Sequence, residues 1–403
     1  MESDERDTYR PGPALARGNV FLIVVDALRA DHLSLNGYPR QTSPHLAELE
    51  KSGSLQNFSR AFSVCAESAC GLMGISSSRN IHRFTARPIT LQETLRRHGY
   101  GIHMILAGDH TNFYGLRESY GIVDSFFDGS MAGEFYINDD YGILDRVDKF
   151  PPFSGQPTFI QFHLMSTHSL GKRDAALPKF EPSASFYASL SKNLGRTFTA
   201  EEKQSFVNHY DNGVITTDHI IRALLGKLAS KGYLNDALVV ITADHGEHLG
   251  EGDRYGHAHG VAAEVLNIPL MMVGYGKHRG LVLPDMKSRV VSQIDIAPTI
   301  LEQLGIQVPR TWSGIPLQNR ASGNRHVFFQ QKGEFGLIES KDASSIWKFR
   351  VDASSGKEFA YDLVADPAET SNRATEVAAE IKVAWRRLLI DLDVNARETA
   401  GVQ

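Results

Sequence analysis

Short, unbroken apolar runs recur along the chain, and several of them stop abruptly at polar residues. They are Asn19–Asp26, Phe58–Val64, Tyr100–Leu106, Thr158–Leu164, Leu238–Thr242 and Pro269–Val273. Runs with no polar alternation predict strands buried on both faces, as in a parallel sheet. Helical signals fall between them. Thr42-Ser43-Pro44 opens a helix with Ser43 as cap and Pro44 at its first position, running to Lys51 and stopping at Gly53. Further helices are predicted over Glu67–Ser76, over Leu91–His98 before Gly99, over Phe206–Leu228 and within Ser292–Gly305. This alternation predicts an α/β fold with a mostly parallel central sheet covered by helices on both faces.

From about residue 320 the pattern changes. His326–Gln330, Gly336–Ile338, Ser345–Val351 and Phe359–Leu363 read as short antiparallel strands, and Thr375–Leu392 as an amphipathic closing helix. The expected organisation is a flexible tail over 1–18, a main domain over 19–320 and a small C-terminal α+β subdomain over 321–403, packed on the main one. Residues 130–157 and 170–205 are irregular and aromatic-rich, which suits loops or a lid beside the strand ends.

A chain of 403 residues can bury one large core and a smaller one. With 42% hydrophobic and 22% charged residues it is neither disordered nor fibrous. A net charge of −5 gives no footprint for a nucleic-acid partner. No apolar run has the length of a membrane span, and the acidic N-terminal stretch lacks the apolar core of a signal peptide. A cytoplasmic location is therefore expected, with an exported one only for a chain cut from a longer exported protein. The two cysteines, Cys65 and Cys70, exclude a disulfide framework. If the segment between them is helical they stand about 8–9 Å apart, too far to bridge, and free thiols are the preferred expectation; a disulfide would require that turn to be irregular.

The chemistry gathers where strands stop. The run Leu238–Thr242 leads into Asp244-His245-Gly246-Glu247, and a glycine-rich loop then carries His248, His257 and His259. Other strands lead into Asp26, the Cys65 segment, His110 and Asn112, and His168. In a parallel sheet these ends share one edge, where ligands collect. Aspartate, histidine and a thiolate are ligands for a divalent cation. Surplus histidines would bind an anionic substrate or protonate a leaving group near neutral pH.

On these segments the sequence resembles the sulfatase-like branch of the alkaline phosphatase superfamily. The stretches that carry the likeness are NVFLIVVDALRADHLSLNGY, TSPHLAELEKSG, CAESACGLMGIS, FHLMSTHS, VVITADHGEHLGE, QIDIAPTILEQLG and WKFRVD…YDLVADPAETSNRA. The resemblance implies an alkaline-phosphatase-like fold and a metal-dependent hydrolase of sulfate or phosphate esters, with a phosphoethanolamine- or phosphoglycerol-type transferase or an inactive binding protein as alternatives. It makes Asp26, Asp244, His245 and Cys65 the metal ligands, and Ala27 replaces a second aspartate found in many sulfatases. His245, where many sulfatases have asparagine, is similar to phosphonate monoester hydrolases and phosphoethanolamine transferases. One divalent ion is implied, zinc or manganese ahead of calcium or magnesium. His168 matches a substrate-binding histidine, and His257 or His259 the group near the leaving oxygen. His110 and Asn112 lie where relatives contact substrate. Cys65 stands at the nucleophile position with Ser68 three residues on, but the segment lacks the proline and arginine that accompany formylglycine formation. Cys65 as a thiolate, Ser68 as a hydroxyl, and no working nucleophile remain open. The expected partner is an anionic ester, with no nucleic acid and no membrane span; a homo-oligomer is compatible with this reading.

Overall fold

The apolar runs assemble into one eight-stranded sheet, ordered β10-β2-β9-β6-β1-β5-β3-β4. Its strands are β1 (Asn19–Val25), β2 (Leu55–Phe62), β3 (Gly101–Leu106), β4 (Ser125–Phe127), β5 (Thr158–Leu164), β6 (Ala237–Ala243), β9 (Asn267–Tyr275) and β10 (Val291–Ser292). A two-stranded ribbon, β7 (His248–Leu249) with β8 (Tyr255–Gly256), stands apart. The computed structural model describes residues 2–11, 18–133, 136–190, 197–281, 283, 284, 287, 289–319 and 324–394. Parts of the expected tail (12–17), of the irregular stretches (134–135, 191–196) and of the C-terminal subdomain (321–323, 395–403) lie outside these residues.

The sheet is α/β and mostly parallel, as expected, and every residue of β1, β5 and β6 is buried. Register is what matters for function. Val25 pairs with both Leu164 and Ala243, so β1, β5 and β6 end in line and deliver Asp26, Met165 and Asp244 side by side. One strand departs from the expected β–α pattern. β9 runs antiparallel to both β6 and β2. It returns directly from β6 through residues 244–266, whereas a parallel return would need a crossover connection back along the sheet.

Helices form where their signals lie, with informative shifts. The Pro44–Lys51 helix begins at the expected proline, but Ser43 does not cap it. Its hydroxyl meets Ser34, and the carboxylate of Asp218 accepts the backbone N–H groups of His45 and Leu46 instead. The long helix spans Ala200–Ser230, starting earlier than predicted because Thr199 and Glu202 form a reciprocal capping box. The expected flexible tail is in part a helix, Glu2–Thr8. It is pinned by Arg6 to Glu93 and by Glu2 to Arg79, with Tyr9 buried behind it.

The C-terminal subdomain is a four-stranded antiparallel sheet of β11 (Arg325–Gln331), β12 (Glu334–Asp342), β13 (Ser345–Asp352) and β14 (Glu358–Asp362), in that order. The Ala379–Leu388 helix seals one face by stacking Trp385 on Phe349, ring centroids 5.1 Å apart. Val327, Phe329 and Ile338 pack on Phe62, Ala66, Val261 and Val265 of the main domain. Through Gln331, whose Oε1 accepts from Ala66 N–H, this sheet reaches the segment that carries Ser68.

Candidate active site

The aligned strand ends put two carboxylates face to face. Asp26 follows β1, its N–H donating to Leu164 O at 2.8 Å, and Thr167 Oγ1 donates to its carbonyl at 2.5 Å. Ala27 then takes φ of 59°, a left-handed conformation uncommon outside glycine, and points its N–H at Asp244 Oδ1, 3.1 Å away. Asp244 Oδ1 also accepts from His245 N–H at 2.9 Å. The outer oxygens, Asp26 Oδ1 and Asp244 Oδ2, are buried with no hydrogen-bond partner.

His245 and Ser68 complete this group. His245 Nδ1 lies 2.8 Å from Gly246 O, which can only accept, so Nδ1 carries the proton and Nε2 presents its lone pair. Ser68 Oγ is 3.1 Å from that Nε2 and 3.3 Å from Asp26 Oδ2. Ser68 is the first residue of the Ser68–Ser77 helix, whose unpaired N-terminal N–H groups favour negative charge. The helix can come this close only because residue 71 is glycine; a β-carbon there would lie 2.4 Å from Asp244 O. Gln293 fastens the junction, donating to Gly71 O and Asp244 O and accepting from Val64 N–H.

One ligand atom each from Asp26, Asp244 and His245 lie within 4.8 Å of one another, all buried. Buried carboxylate oxygens without donors are costly unless a cation faces them, and an imidazole lone pair beside them suits a divalent metal. His163, on β5, supplies some positive charge. Its Nε2 is 3.8 Å from both Asp26 Oδ2 and Asp244 Oδ2. Burial disfavours its charged form, yet the two carboxylates outweigh this and raise its pKa. Burial likewise opposes ionisation of Asp244, but His245 and His163 hold its carboxyl well below the usual range.

Cys65 does not join them. It is bonded to Cys70 in a disulfide, with Cα atoms 6.3 Å apart, and so is neither the free thiol nor the thiolate ligand expected. The helix starts at Ser68, leaving Cys65 on a non-helical approach from which the bridge can close. The free-thiol expectation took the whole segment as helical.

A rim of histidines overlooks the carboxylates. The His257 ring lies 4.4 Å from that of His245 and 5.3 Å from that of His168. His257 Nδ1 is 2.8 Å from Oε1 of Glu247, a fully buried carboxylate whose Oε2 has no partner. Burial pushes the His257 pKa down, but the Glu247 charge outweighs it and lifts it to about 9. His168 has no such partner and burial lowers its pKa, against the pull of Asp26 and Glu247. Arg173, half-buried, staples the His168 loop by donating to His168 O and Gly171 O. Tyr187 adds an aromatic wall 6.1 Å from the His168 ring.

His259, offered as an equal of His257, is exposed and stacks on His248 instead. His110 is not at the surface of the site. It is buried behind His163, its Nε2 3.1 Å from His163 Nδ1 and its Nδ1 2.7 Å from Tyr120 Oη, which makes it a support for His163 rather than a substrate contact. Asn112 is exposed and turned to Asp109. Sequence reasoning overlooked Glu247, although it stands two residues after His245, and overlooked Gln293 and Arg173, which carry no motif.

The sulfatase family profile matches residues 18–306. The chain belongs to the sulfatase family. Over 320 residues it is 27% identical to the phosphatidylethanolamine transferase Mcr-2 of Escherichia coli, covering 74% of this chain and 56% of that protein. Over 206 residues it is 31% identical to arylsulfatase K of Mus musculus, covering 47% of this chain and 36% of that one. The chain thus spans about half the length, or less, of these curated relatives. The C-terminal periplasmic domain of EptC from Escherichia coli, solved in complex with zinc, shares the fold with a TM-score of 0.65 at 18% identity, over 79% of this chain and 92% of that domain. The sulfatase-family fold is thus the alkaline-phosphatase-like one expected, with the antiparallel subdomain appended. Among the described residues no helix is long and apolar enough to cross a membrane.

Proposed function

We propose that this sulfatase-family protein is a metal-dependent enzyme that cleaves or transfers phosphate-type esters through a covalent intermediate on Ser68. The observation that carries this reading is the Ser68 hydroxyl at a helix N-terminus, 3.1 Å from His245 Nε2 and 3.3 Å from Asp26 Oδ2, while Cys65 is held in a disulfide. Asp26, Asp244 and His245 would hold the cation, with zinc or manganese suiting a carboxylate–imidazole set. Bound there, it would supply Lewis-acid polarisation of a non-bridging ester oxygen and lower the pKa of the attacking hydroxyl.

The protein's own groups carry the rest. Ser68 Oγ attacks in line and its proton passes to Asp26 Oδ2. The ester oxygen departs with the proton of His257, whose charge Glu247 sustains. His168, whose Nδ1 accepts from Leu170 N–H and so leaves the proton on Nε2, and the helix N-terminus donate hydrogen bonds to the transferred group as charge builds on it. Water or an acceptor hydroxyl then releases the group from Ser68, with His257 taking the incoming proton and Asp26 Oδ2 returning its proton to Ser68 Oγ. Hydrolase and transferase differ only in which nucleophile enters at this step, and likeness to Mcr-2 supports transfer as readily as hydrolysis.

Sulfuric ester hydrolysis is the second reading, supported by the 31% identity to arylsulfatase K. It requires Cys65 to be released from Cys70 and converted to formylglycine, which lowers the mass by about 18 Da. The disulfide, together with the periplasmic origin of the EptC domain, supports an oxidising compartment over the cytoplasm. One experiment tests the central claim. The metal-loaded protein is given aryl phosphodiesters, phosphonate monoesters and aryl sulfates, then quenched and peptide-mapped. A phosphoryl adduct on Ser68, absent in Ser68→Ala, is expected; an adduct on residue 65 or formylglycine there overturns the assignment.

A further inference from the structure

A cavity of about 550 Å³ opens at the far end of the Ser68–Ser77 helix, in the seam between the main domain and the C-terminal subdomain. Its wall carries the guanidinium groups of Arg79, Arg83, Arg310 and Arg325, with His82, His326 and a single carboxylate, Asp391. The helix's ten residues, at about 1.5 Å each, separate it from Ser68, so the two are distinct places.

Part of the positive charge is answered from within. Arg79 Nη2 is 2.5 Å from Glu2 Oε1, and Arg325 Nη2 is 2.5 Å from Asp295 Oδ2. Glu5 accepts the backbone N–H groups of Arg310 and Thr311, and its charge also favours charged Arg79. Among the described residues Arg83 and Arg310 have no ion-pair partner. Arg83 Nε donates to His82 Nε2 at 3.3 Å, which leaves the proton of a neutral His82 on Nδ1. That Nδ1, Arg79 Nε, Arg325 Nε and Thr311 Oγ1 are buried and lack hydrogen-bond partners. Buried donors without acceptors are unfavourable, and these four belong to residues that line the cavity, whose wall therefore has more donors than acceptors. A helix C-terminus attracts a cation, which accounts for one arginine here but not for four.

We propose that this seam is a second binding site, for a small anion bearing a sulfate or phosphate group. Guanidinium forks match the paired oxygens of such groups, and Trp312 and Phe328 in the same wall suit a ring attached to them. Arg79 and Arg83 come from the main domain and Arg325 and His326 from the first residues of β11, so the ligand ties the two domains together.

The test uses full-length Ser68→Ala protein stripped of metal with a chelator, so that the catalytic centre cannot retain an anion through a cation. Inorganic sulfate, pyrophosphate and a sulfated monosaccharide are titrated calorimetrically. Saturable binding is expected, weakened at least tenfold by Arg83→Glu and by Arg310→Glu. The same two substitutions in the Ser68 protein should leave aryl ester turnover within twofold. Inorganic anions binding as tightly as the sugar identify a free-anion site, and tighter binding of the sugar an ester ligand; either supports the proposal. No saturable binding of any probe, or binding that survives both arginine changes, overturns it. Arg83→Gln replaces Arg83→Glu if melting temperature falls. Failure here leaves the Ser68 reading untouched, because that rests on the covalent adduct.

Discussion

Asp26, Asp244 and His245 sit directly on the ends of β1 and β6, sealed from solvent, whereas His168 and His257 stand on loops and are partly exposed. The first group is placed by strand register, since Val25, Leu164 and Ala243 pair in line. The second is placed by side chains, with Glu247 holding His257 and Arg173 holding the His168 loop. A group fixed by register cannot move without disturbing the sheet, so the geometry of this trio is rigid. A group held by a neighbouring side chain can be re-aimed by one substitution, so His168 and His257 are the adjustable part of the site.

The sharpest way to break this contrast is Asp244→Asn. It should abolish bound divalent metal, read by elemental analysis, and lower kcat/KM by about 10³-fold or more. Full metal content with normal turnover would end the distinction. His257→Ala should lower kcat by about 10²–10⁴-fold while metal content stays at the wild-type level, and the loss should shrink for esters whose leaving group needs no proton. Equal losses for good and poor leaving groups would remove His257 from that role. Glu247→Gln, which keeps the shape but not the charge beside His257, should cost about 10–100-fold, again with metal retained.

The smallest effect concerns a buried carboxylate outside the site. Asp218, alone with two backbone donors, is pushed by burial to about 6, whereas Asp244 beside imidazoles is held low. Since the folded pKa of Asp218 lies above its unfolded value near 4, its stabilising contribution is present below about pH 4 and lost as pH rises through about 6. Replacing it by Asn should flatten the pH dependence of the urea midpoint over that window, by about 2–3 kcal/mol at most. An unchanged slope in Asp218→Asn would show that burial is not what sets this carboxyl.

Much of this was legible in the residues. Fully apolar runs announce central strands because both faces must be buried, and Thr158–Leu164 was bounded to the residue. Asp26, Asp244 and His245 were legible because polar groups ending such runs have one edge to occupy. The direction of β9 was not, since a buried strand reads the same either way and only the residues between it and β6 decide its return. The Cys65–Cys70 bridge turned on whether Cys65 lies inside the helix or on the irregular turn before Ser68, which propensity does not resolve. His110 illustrates a different limit. Its place after β3 was read correctly, but whether a side chain faces the cleft or backs another histidine depends on packing with Tyr120 and His163.

The reversal of β9 has a consequence for how this fold could diversify. Because no crossover helix is needed between β6 and β9, the segment bearing Glu247 and His257 is anchored at both ends by neighbouring strands and spans nothing else in the sheet. Its exposed turn between β7 and β8, Gly250–Arg254, is therefore the part whose length can change. A longer or shorter turn there would reshape the rim beside the site while Asp244, His245 and the packed Val261 and Val265 stay as they are.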